Sequence, residues 1–124
     1  MPVPIFKQGD VLIASIQAAL LDGDLVRLRD DIAAQIGLYR SRHVIIDVTA
    51  LDVLDSFATR TLRAIAYTAK LRGASAIVVG IQPEVAFAMV QLGLSLDGIA
   101  TALDLEDGLA HINASAHQDA RRGR

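Results

Sequence analysis

The apolar positions change period several times along the chain, and each change marks an element. Pro4–Gln8 and Val11–Gln17 are short β-type runs around Gly9 and Asp10, which are turn formers, so the chain opens on a hairpin. In the second run Val11, Ile13 and Ser15 alternate with Leu12, Ala14 and Ile16; both sets are mostly apolar, as in a strand covered on two faces. From Asp22-Gly23-Asp24 the period becomes helical. Leu25, Leu28, Ile32, Ile36 and Tyr39 fall three and four apart, predicting a helix over 24–40 with Arg27, Arg29, Asp30 and Asp31 off its apolar stripe. Val44, Ile45, Ile46 and Val48 form a continuous β-branched run, the pattern of a central strand. A turn over Thr49–Leu54 follows, and a second helix begins at Asp55-Ser56.

That second helix carries Ala58, Leu62, Ile65, Ala66 and Ala69 on one face, turns Arg60, Arg63 and Lys70 away, and stops near Gly73. Ser75–Val79 reads as another strand of the parallel type, closed by Gly80. Pro83 suits the first turn of a third helix, with Val85, Met89 and Leu92 as its buried face and Gly93 as its end. Ile99-Ala100-Thr101 forms a short edge strand. Asp104 with Asp107 starts a last helix bearing Leu105, Leu109 and Ile112. The order β-β-α-β-α-β-α-β-α predicts an α/β fold: a mixed β-sheet packed with about four helices, in a single domain over residues 1–113. Residues 114–124 are polar, end in Arg-Arg-Gly-Arg, and predict a disordered basic tail.

Composition narrows the function classes. With 124 residues and 52% hydrophobic content, the chain makes one domain with a core. Residues 1–118 hold 9 basic against 13 acidic side chains, so the body offers no footprint for nucleic acid or an anionic membrane. There is no cysteine, hence no disulfide, thiolate metal site or thiol nucleophile. Met1–Phe6 lacks the basic-then-apolar order of a signal peptide, and no apolar stretch approaches the ~20 residues of a membrane helix. A cytoplasmic protein is expected.

The candidate chemistry centres on Ser56, which follows a core strand at a helix start, the sheet edge where open α/β folds build sites. A Ser/His/Asp hydrolase finds no support. His43 begins the strand whose far end leads to Ser56, and a strand of six or seven residues spans roughly 20 Å. His117 lies in the tail, His111 lies on the last helix, and no Gly-x-Ser-x-Gly elbow occurs. No Gly-rich nucleotide loop is present. Three scattered histidines, and Asp22, Asp24, Asp30 and Asp31 without calcium-loop spacing, suggest neither a metal centre nor a cofactor. No catalytic residue is assigned. Ser56 and Asp55 each also suit plain helix capping, Asp52 suits a solvated turn, and Gly80–Pro83 suits an ordinary β-to-α loop.

The element order, the Asp55-Ser56 pair after Val44–Val48, and the tracts Gly80-Ile81-Gln82-Pro83 and Thr101-Ala102-Leu103-Asp104-Leu105-Glu106 resemble STAS domains, the anti-sigma-factor antagonist family. Within it the resemblance is to the RsbS type, the stressosome scaffold proteins, and covers about residues 3–113. The resemblance implies a non-enzymatic regulatory phosphoprotein in stress-response signal transduction. Such a scaffold sequesters an RsbT-like serine kinase, co-assembles with an RsbR-like sensor paralogue as part of an oligomer or dimer, and releases the kinase when the serine corresponding to Ser56 is phosphorylated. Partner contacts are then expected at Asp52, Asp55, Ser56, Phe57 and Gln82. Antagonists that bind an anti-sigma kinase directly follow the serine with a small residue and then glycine, whereas Phe57-Ala58 stands here. That role is the alternative, and a small-ligand binding STAS-like module is a third.

Overall fold

Residues 3–17 and 20–122 are described by a computed structural model, with side chains described as far as Asn113 and Ala114. The elements are β1 (Ile5–Gln8), β2 (Val11–Ser15), α1 (Asp22–Tyr39), β3 (His43–Asp47), α2 (Ser56–Leu71), β4 (Ser75–Val79), α3 (Pro83–Gln91), β5 (Ala100–Ala102) and α4 (Leu105–Arg122). This is the expected order. The sheet order is β1-β2-β3-β4-β5; β1 pairs antiparallel with β2 and every other pairing is parallel. The outermost strands are short, four residues in β1 and three in β5.

Strand alternation divides the core in two. Leu12, Ala14, Val44, Ile46, Ala76 and Val78 face one side, where Leu28, Ile32 and Ile36 of α1, Leu62, Ile65 and Ala69 of α2, and Val85 and Met89 of α3 cover them. Ile13, Ile45, Ile77 and Val79 face the other side and meet Ile112, with Leu105 and Leu109 half-buried beside it. The register sets Ile45 between Ile13 and Ile77, so β3 is buried on both faces, as its unbroken apolar run requires. Helix α4 comes close to the sheet because Gly108 has no side chain: a Cβ there would stand 2.8 Å from Val79 Cγ1.

Three expectations need correction. Tyr39 is not part of the buried stripe of α1. It sits in the last turn, 46% exposed, with the Lys7 ammonium 5.8 Å from its ring centroid. Leu92 is 69% exposed, because α3 ends at Gln91 and the backbone turns through Gly93 at φ 68°; Leu94 packs against the core instead. The backbone beyond Ala114 is helical to Arg122, where a disordered tail was expected. Once packing has nucleated a helix, each added residue gains a hydrogen bond, and Ala114, Ala116, Gln118, Ala120 and Arg121 extend it without a glycine or proline. Gly123 and Arg124 lie outside the described residues.

Candidate functional site

The parallel strands β2, β3 and β4 bring the loops that follow them to one edge of the sheet, together with the N-termini of α1, α2 and α3. Two of these loops are joined. The Asp47 carboxylate at the end of β3 accepts from the Thr49 N–H (2.9 Å) and the Thr49 hydroxyl (2.6 Å), a local turn that suits Asp. The Gln82 side-chain amide donates to the Thr49 carbonyl oxygen at 2.6 Å. Gly80, at φ 82°, lies so close to Thr49 that no side chain fits between them. The loop carrying Ser56 is thereby tied to the loop between β4 and α3. Gln82 was expected to face a partner; its amide is engaged within the fold.

Helix α2 begins at Ser56, and the residue that caps it is Asp55. The Asp55 carboxylate accepts from the Ala58 N–H at 2.7 Å, and its carbonyl oxygen accepts from the Thr59 N–H at 2.9 Å. Of the two capping readings open in the sequence, the structure takes Asp55. Ser56 is exposed, and no hydrogen bond engages its hydroxyl among the described residues. Asp52 and Asp55 are exposed as well, and Phe57 is half-buried. Removing the cap tests this arrangement. Asp55→Ala is expected to cost about 1 kcal/mol of stability, read as a lower thermal midpoint, whereas Ser56→Ala leaves that midpoint nearly unchanged. The reverse order would make Ser56 the cap.

The edge is acidic. Asp22 and Asp24 stand in the first turn of α1, Glu84 in that of α3, and Glu106 and Asp107 in that of α4. Each complements the positive end of its helix, and Asp104 caps α4 by accepting from the Asp107 N–H at 2.8 Å. No lysine or arginine occurs in these first turns or in the loops leading into them. His43 lies at the opposite end of β3, paired with Val11 and Ser75, and cannot serve Ser56. Among the described residues no three His, Cys, Asp or Glu are grouped to hold a metal ion, and no helix is long and apolar enough to cross a membrane. The pattern Asp47-x-Thr49 was the one signal in the sequence for the tie between the loops.

Residues 3–108 match the model of the STAS domain family. Among solved structures the chain is similar to RsbS of Moorella thermoacetica, solved as a serine-to-glutamate variant, at 35% identity over 93% of this chain and 97% of that one, with a TM-score of 0.80. It is also similar to a chain of the stressosome, described as a signal integration and transduction hub, at 32% identity over 91% of this chain and 98% of that one, with a TM-score of 0.75. A curated relative is the RsbT co-antagonist protein RsbRA of Bacillus subtilis, 24% identical over 107 residues; the match takes in 86% of this chain and only 38% of that relative. With a family match over most of its length, this chain belongs to the STAS domain family and is similar over nearly all its residues to the RsbS type.

Proposed function

We propose that the chain is a non-enzymatic regulatory scaffold in a stressosome-type partner switch, holding an RsbT-like serine kinase in the cytoplasm until Ser56 is phosphorylated. The observation that carries this reading is the position of Ser56: an exposed hydroxyl at the first residue of α2, free of structural duty because Asp55 does the capping. Similarity to RsbS and to a stressosome chain supports it, and similarity to RsbRA supports an RsbR-like paralogue as co-assembling partner.

The physics of the switch follows from that position. A phosphate adds about 1.5–2 negative charges at pH 7. The N–H groups of Ser56 and Phe57 carry no hydrogen bond among the described residues, and the helix dipole favours an anion there. The domain therefore tolerates the modification. A kinase acting at Ser56 brings nucleotide phosphates to the same point, so the product phosphoserine faces like charge and must shed its own hydration to stay docked. Asp52 and Asp55 add to the repulsion. Binding is lost locally while the fold is kept.

The test uses purified protein and an RsbT-like kinase with ATP. Phosphate on Ser56, with Ser56→Asp giving an unchanged circular dichroism spectrum and at least tenfold weaker kinase binding, is the expected result. Equal binding by Ser56→Asp, or no phosphate on a well-covered Ser56 peptide, would sink the reading.

A further inference from the structure

A cleft of about 110 Å³ opens beside the switch serine, between the start of α1 and the start of α2. Its walls are Leu25, Leu51 and Leu54, and buried Leu62 lies beneath them. Ala58, two residues after Ser56, forms one side; Val53, 71% exposed, stands among the lining residues. Asp22 and Asp55 line it too, and neither has an ion pair among the described residues. The cleft is thus an apolar socket with a negatively charged mouth.

Size decides what it can take. Small-molecule sites usually measure about 300–1,000 Å³, and an apolar cavity of about 150 Å³ already holds a benzene-sized group. A space of 110 Å³ is too small for the first and suits a branched aliphatic side chain. Buried side chains set in such pockets, with charge at the rim, are how protein interfaces concentrate affinity and register. We infer that this cleft is an anchor socket for a partner protein, receiving one leucine-type side chain flanked by lysine or arginine. The acidic mouth chooses the flanking charge, and the apolar walls choose the anchor. The inference rests on the reading of this edge as a protein-docking surface and adds the chemistry of the contact. It places the anchor beside Ser56, between its neighbours Asp55 and Ala58, so a docked partner is held in register with the hydroxyl it modifies.

The test needs neither kinase nor phosphate, so its outcome is separable from that of the switch. Methyl-labelled protein is titrated with the capped peptides Lys-Leu-Lys, Lys-Ala-Lys and Glu-Leu-Glu, and with isopentylamine, and the NMR shifts of Leu25, Leu51, Leu54 and Ala58 are followed. Lys-Leu-Lys is expected to move these methyls, with the alanine and glutamate peptides at least tenfold weaker. Added salt should weaken the response. Ala58→Phe, which fills the socket from its half-exposed side, abolishes it; Asp22→Asn, at an exposed position, weakens it for Lys-Leu-Lys. Equal response to Lys-Ala-Lys, or shifts that persist in Ala58→Phe, would overturn the inference. Isopentylamine binding as tightly as the peptide would overturn it too, in favour of a small-amphiphile site.

Discussion

Gly80→Ala is expected to be among the most damaging single-methyl additions this chain can receive. Gly80 sits at φ 82°, where a Cβ costs about 1–2 kcal/mol by itself. The added Cβ would also strike the Thr49 side chain and stand 3.1 Å from Thr49 Cα, and that backbone atom cannot swing aside. Forcing Thr49 away adds an overpacking cost of about 1–3 kcal/mol and pulls on its bonds to Asp47 and Gln82. The total, about 2–5 kcal/mol, would lower the urea midpoint by roughly 1–3 M. Gly73→Ala is the control. Its φ is 86°, yet nothing lies within 4 Å of the new Cβ, so only the backbone cost applies. If the two variants lose equal stability, Thr49 yields freely and the tie between the two loops is weak.

Ile46→Ala is the second large effect. Ile46 is fully buried on the central strand, opposite Ala14 on one neighbour and Val78 on the other. Small residues beside it cannot close the hole, so the loss should fall in the usual range of about 2–5 kcal/mol. Against a total of about 5–15 kcal/mol for a domain, that threatens folding outright. Ile46→Val should cost only about 0.5–1.5 kcal/mol. Urea unfolding of both variants measures the ratio, and a loss below about 1 kcal/mol for the alanine variant would mean that β3 is less tightly enclosed than described.

Most of the element order was legible from the period of the apolar positions: a β-branched run in β3, threes and fours in α1 and α2. The position of Ser56 at a helix start was legible for the same reason. What escaped depends on groups far apart in the chain. Gln82 looks like a loop residue with a free amide until β4 lies beside β3 and the Thr49 carbonyl comes within reach. Leu51 and Leu54 read as turn residues, yet both are buried, because the loop folds back over α1 and α2. Capping by Asp55 rather than Ser56 turns on a shift of one residue, which no periodicity resolves. The exposure of Leu92 reflects a helix that stops early, decided by the turn at Gly93 and not by the apolar pattern.

The shortness of the outer strands bears on what crowding does to this domain. Every open sheet ends in unpaired backbone groups that can recruit the edge of another molecule, and a chain with two such edges can polymerise without limit. Here one edge is three residues long and the other is four with Lys7 in its middle, too brief and too charged to template a lasting ribbon. Copies brought to high local concentration would then meet through helices and loops, and not through sheets that grow into fibres.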